Sequence, residues 1–115
     1  MSNPYDYAHH LAKSIRSDKA YIELMQLEEE MKQNAIWKKM MNDFREQQQN
    51  LQMIYMQGEQ PSPEQEEKVQ QLFTAIQAIP TLMHYLQAEE RLGILVQDIQ
   101  KIVMEPINEI FQEDT

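Results

Sequence analysis

Apolar side chains recur every three or four residues along almost the whole chain, the period of an amphipathic helix. Tyr5, Ala8, Leu11, Ala12 and Ile15 form the first stripe, and Asn3 with Pro4 supplies its cap and first turn. Ser17-Asp18 breaks the pattern, after which Tyr21, Ile22, Leu24, Met25, Leu27 and Met31 form a second, broader face. Gln33-Asn34 is the next break, with Asn34 as cap. Beyond it Trp37, Phe44 and Leu51 stand seven residues apart, with Met40 and Met41 between and Ile54 and Tyr55 after. Gln47-Gln48 interrupts this seam locally. Gly58 can take the left-handed conformation that ends a helix, and Gly58-Glu59-Gln60-Pro61-Ser62 is the one strong loop signal.

Ser62, Pro63 and Gln65 then form a capping box in front of Val69, Leu72, Phe73, Ile76 and Ile79. A helix of that length is marginal alone, so it must pack. A short loop favours an antiparallel hairpin with residues 35–57. Pro80 ends that helix or opens the last one, whose apolar residues lie on two faces. Leu82, Leu86, Val96, Ile99, Val103 and Ile107 make one; Leu92, Leu95, Ile102 and Ile110 make the other. Pro106 removes a backbone hydrogen bond and predicts a kink or break, and the tail from Gln112 to Thr115 predicts fraying. The pattern therefore predicts one all-α domain over 1–115, an elongated bundle of long antiparallel helices completed by oligomerisation. Its helices are expected near 4–16, 18–32, 35–57, 63–78 and 81–111, with a loop at 58–62.

Composition supports the helical reading and narrows the chemistry. Only two glycines occur in 115 residues, too few for the turns of an all-β fold. There is no cysteine, which excludes disulfides and thiolate chemistry and fits a cytoplasmic protein. The first residues show neither the basic nor the apolar segment of a signal peptide, and no apolar run approaches the roughly twenty residues of a membrane span. The net charge of −9 is uneven. Residues 1–57 carry seven Lys/Arg against eight Asp/Glu, and residues 58–115 carry three against eleven. The acidic second half would repel a phosphate backbone, so direct nucleic-acid binding is not expected. Arg16, Lys19, Lys32, Lys38, Lys39 and Arg45 are read as partners for those carboxylates, in the same chain or another copy.

Catalytic constellations are missing from the pattern. His9 and His10 are adjacent on a helix and diverge by about 100°. His84 stands apart, with Glu89 and Glu90 off its face. The runs Glu28-Glu29-Glu30, Glu64-Glu66-Glu67 and Glu89-Glu90 read as solvated helix faces, and the Glu64 run also suits a helix N-terminus. No phosphate loop or nucleophile elbow is present. Neither catalytic residues, nor metal ligands, nor a cofactor are expected. Trp37, Phe44 and Tyr55 are expected as packing anchors. The nine methionines read as core filler or as an adaptable binding surface, with Met53 and Met56 the best surface candidates.

The chain resembles the YlbF/YmcA group of bacterial regulatory proteins, and its YheA-like branch in particular. The resemblance is carried by Tyr5-Asp6 with Ala8-His9-His10-Leu11-Ala12, by Phe44-Arg45-Glu46-Gln47-Gln48 leading to Leu51-Gln52, by Met56-Gln57-Gly58, and by Tyr85-Leu86-Gln87-Ala88-Glu89. It implies long, loosely bundled helices, homodimers or larger homo-oligomers, and a non-enzymatic adaptor role. It also implies a link to competence, sporulation and biofilm control and to mRNA processing through a ribonuclease partner. The cysteines tied to cluster binding in those relatives have no counterpart here. The expected function is thus a cytoplasmic adaptor that binds its own copy and an unidentified protein partner. An RNA-associated accessory protein and a metal-dependent enzyme are the alternatives. The interface residues expected are Leu51, Met53, Ile54, Tyr55 and Met56 on the third helix and Leu92, Leu95, Ile99, Ile102 and Ile110 on the last.

Overall fold

The computed structural model describes residues 3–112. Among them lie five helices and no strand: α1 (Pro4–Arg16), α2 (Lys19–Lys32), α3 (Ala35–Met56), α4 (Pro63–Gln77) and α5 (Pro80–Phe111). Each start has a local cause. Asn3 and Asp6 form a reciprocal capping box at α1, and Ser62 and Gln65 form another at α4. Asp18 Oδ1 accepts from the Ala20 N–H at 2.9 Å, which opens α2 one residue later than its pattern suggests. Asn34 Oδ1 accepts from both Ile36 and Trp37 N–H. Pro80 opens α5 and does not close α4, which has already ended at Gln77.

Gly58 sits at φ 79, the left-handed region open to a residue without Cβ. Its N–H donates to the Tyr55 carbonyl at 3.0 Å, and the Glu59 N–H reaches back to the Ile54 carbonyl at 3.1 Å. This pair of bonds is a Schellman cap, and it satisfies carbonyls that the end of α3 leaves over.

The chain divides into two compact units, Leu24–Leu86 and Met1–Glu23 with Gln87–Thr115. In the first, α3 packs on α4 as the antiparallel hairpin that the short loop predicts. Phe44 stacks on Phe73 with ring centroids 5.7 Å apart, while Leu51 and Val69, nearer the loop, line one groove. Met41, Ile76 and Leu82 are fully enclosed, and Met31, Phe44 and Tyr85 complete the buried cluster. Trp37, Leu72, Phe73 and Ile79 pack against it from the half-buried layer. Trp37 and Phe44 are thus packing anchors as expected. Tyr55 is not: it is 58% exposed. It stands one residue from the end of α3 and lines an open groove with Val69 of α4.

The second unit holds α1, the start of α2 and α5 from Gln87 onward. No residue of α1 is buried, although its stripe is strongly amphipathic. Arg91 Nη1 meets Glu23 Oε2 at 3.0 Å. Pro106 does not break α5, which continues to Phe111. Every residue around it is exposed, so the carbonyl that loses its helical donor faces water and the interruption costs less than it would in a core. The helix ends before Gln112; the rest of the expected frayed tail, 113–115, lies outside the described residues.

Candidate interaction surfaces

Polar chemistry gathers at one place in the Leu24–Leu86 unit. Tyr85 donates its hydroxyl hydrogen to Glu28 Oε2 at 2.7 Å and accepts from Arg45 Nη2 at 2.8 Å. The Arg45 guanidinium also lies over the Tyr85 ring, 5.3 Å from its centroid. Three helices are tied together by this triad. Burial holds the Tyr85 pKa above the ordinary phenol value, with the Arg45 hydrogen bond opposing the rise and Glu28 adding to it. The phenol therefore stays protonated and serves as a donor to the carboxylate. These bonds tie the fold together.

The pattern did not reveal this triad. Glu28 reads as part of a solvated run, yet it turns inward and is half-buried while Glu29 and Glu30 stay exposed. The available signal was Tyr85 itself, since a tyrosine on an apolar stripe needs a partner for its hydroxyl. Elsewhere, His9, His10 and His84 are exposed, and among the described residues no three His, Asp or Glu gather as a metal site.

What remains distinctive is exposed apolar surface, and it falls in two places. On α3, Met53 and Tyr55 are each 58% exposed and Met56 is 79% exposed, whereas Leu51 and Ile54 are half-buried. Two open grooves run beside these residues. One, of about 280 Å³, is lined by Gln47, Asn50, Leu51, Met53, Ile54, Gln57 and Gln65. The other, of about 490 Å³, is lined by Gln48, Leu51, Gln52, Tyr55, Met56 and Val69. Leu51 is shared by both.

On α5, Leu92, Leu95 and Ile99 are half-buried, whereas Ile102 and Ile110 are 62% and 73% exposed. The two faces read from the sequence merge here. All of residues 101–112 are exposed, so Val103, Met104, Ile107 and Phe111 stand in water beside Ile102 and Ile110. Monomeric proteins rarely leave so contiguous an apolar surface open. The ten expected interface residues therefore fall into two groups, five in each unit.

The fold and these surfaces define an all-helical protein whose distinctive features are exposed apolar faces. The model of the family described as "Control of competence regulator ComK, YlbF/YmcA" matches residues 5–108, and the chain belongs to that family. A UPF0342 protein of Alkalihalophilus pseudofirmus is 40% identical over 111 residues, covering 96% of this chain and 94% of its own. A UPF0342 protein of Shouchella clausii is 34% identical over 113 residues, covering 98% and 96%. Among solved structures, a Bacillus stearothermophilus protein of unknown function (DUF964) overlays with a TM-score of 0.74 at 22% identity, covering 96% of this chain and 97% of that one. The yheA protein of Bacillus subtilis overlays at 0.64 with 23% identity, covering 95% and 99%. The expected family and all-α fold class are thereby shown. The family is described by regulation and not by a reaction. No helix among the described residues is long and apolar enough to cross a membrane.

Proposed function

We propose that the chain is a non-enzymatic cytoplasmic regulatory adaptor that associates with its own copy through the C-terminal half of α5 and holds a protein partner elsewhere. The observation that carries this reading is the exposure of the whole stretch 101–112, in which six of twelve side chains are Ile, Val, Met or Phe. Burying such a face removes apolar area from water at roughly 25 cal/mol per Å². A second copy offers the same face, and a two-fold contact closes it on itself. Pro106 and the exposed carbonyl it leaves lie on the same stretch and set where that packing has to adjust. α1, with no buried residue and with Leu11, Ala12 and Ile15 half-covered, belongs to the same unit and extends the surface.

The test is the solution mass of the purified protein by light scattering through a dilution series, for the native chain and for Ile102→Asp. The expected result is a dimer or larger species that the substitution shifts toward monomer at unchanged helicity. A native chain that is monomeric at every concentration, or a variant of unchanged mass, rejects α5 as the self-association surface.

A further inference from the structure

The exposed tip of the α3–α4 hairpin differs from α5 in its charge. From Glu46 to Glu67 the chain carries Glu46, Glu59, Glu64, Glu66 and Glu67 and not one Lys, Arg or His. All five carboxylates lie at exposed positions. Glu46 is one turn before Asn50 on α3, and Glu66 is one turn before Val69 on α4, so each sits beside a residue that lines a groove. The apolar lining of the two grooves is Leu51, Met53, Ile54, Tyr55, Met56 and Val69. The grooves run along residues 47–57, about 15 Å of helix axis, which matches roughly three turns of a docked helix. Methionine side chains adapt to varied apolar contours, and Tyr55 supplies a large contact area with few rotatable bonds.

We propose that this tip is the docking site for a cationic amphipathic helix of another protein, with its apolar side chains in the two grooves and its Lys or Arg side chains against the carboxylate rim. This proposal deepens the adaptor reading by giving the partner its chemistry. Charge decides the occupant. A second copy placed tip to tip would set five carboxylates against five, with only Lys68, at the edge of the acidic stretch, to offset them. The same field repels nucleic acid and anionic lipid surfaces. A helix with leucine-like residues on one face and lysines on its flanks satisfies both floor and rim.

The probe is a synthetic helix of leucine and lysine, about 18 residues or five turns long, with a leucine–glutamate peptide of identical spacing as its control. The full-length protein is titrated with each, and binding is followed by calorimetry and by backbone amide shifts. The expected result is binding of the lysine peptide alone, weakened by salt, with shifts concentrated at Leu51, Ile54 and Val69. Tyr55→Ser with Met56→Ser should weaken it by about tenfold or more. Glu64→Gln with Glu66→Gln and Glu67→Gln should weaken it and flatten its salt dependence. Glu46→Gln with Glu59→Gln, which leaves the first turn of α4 intact, should act in the same direction. Absence of binding, equal binding of the two peptides, shifts confined to α5, or indifference to these variants overturns the proposal. So does a fall in solution mass on Tyr55→Ser with Met56→Ser, which would make the tip a contact between copies. Ile102→Asp should alter mass without moving the peptide isotherm, so the two readings fail separately.

Discussion

The Leu24–Leu86 unit and the last turns of α5 are built from the same kinds of side chain at the same helical spacing, and they meet opposite fates. Met41, Ile76 and Leu82 are closed off completely. Ile102, Ile110 and Phe111 are 62%, 73% and 75% exposed. The difference lies in what each stripe finds opposite it. α3 ends in a Schellman cap, turns through a short loop and meets α4, whose Phe73 and Ile76 arrive at the height of Phe44 and Met41. No element among the described residues covers residues 101–112 of α5. An apolar stripe thus encodes a demand for a partner, and the turn after it decides whether the same chain supplies one.

Truncation should break this comparison most sharply. Met41→Ala or Ile76→Ala removes a fully enclosed side chain and should cost about 2–5 kcal/mol. Ile102→Ala in the isolated chain should stay within about 0.5 kcal/mol, as for an ordinary surface site. Urea unfolding of both at low protein concentration checks the contrast. Equal losses would mean that the C-terminal half of α5 already has a core of its own.

The Tyr85 triad gives the next largest effect. Tyr85→Phe keeps the ring and deletes the hydroxyl that joins Glu28 to Arg45, and should cost about 1–3 kcal/mol. It also carries a pH signature. The folded phenol holds its proton more tightly than the unfolded one, because burial disfavours the phenolate. Above the ordinary phenol value the unfolded state therefore releases a proton that the folded state retains. Stability is full below about pH 10 and falls as pH rises through the raised folded value. The stability difference between the native chain and Tyr85→Phe should shrink over that alkaline range and stay constant below it.

Five helices, their caps and the hairpin are legible in the sequence because each rests on short-range signals. Asn3, Asn34, Ser62 and Gly58 act within a few residues of themselves, and period alone marks the stripes. The Tyr85 triad is not legible, because Glu28 and Arg45 lie 57 and 40 residues from Tyr85 and nothing local sets Glu28 apart from Glu29 and Glu30. Tyr55 misleads for a related reason: it keeps the spacing of Phe44, but near the loop α3 and α4 leave an open groove between Tyr55 and Val69. Of the kink or break expected at Pro106, the break is absent, because an exposed helix tolerates the lost bond better than an enclosed one. The two exposed surfaces are half legible. Met53 and Met56 stand off the seam by period, whereas the merging of both α5 faces into open surface needs the structure.

The two glycines give the smallest effects and should move stability in opposite directions. Gly58 holds φ 79 at the end of α3, so Gly58→Ala forces a Cβ into the left-handed region, although no atom lies within 4 Å to clash with it. The cost is conformational and should be about 1–2 kcal/mol. Gly93 stands inside α5, exposed, with nothing within 4 Å of an added Cβ. There alanine only removes freedom from the unfolded chain and should add about 0.4–1 kcal/mol. Thermal melts of both variants at low protein concentration check the signs. The same Gly93→Ala variant then sharpens the comparison between closed and open stripes. If its gain persists at concentrations where copies associate, Gly93 faces water in the assembly. If the gain reverses there, a neighbouring backbone lies against Gly93, and the self-association face reaches from Phe111 back to the middle of α5.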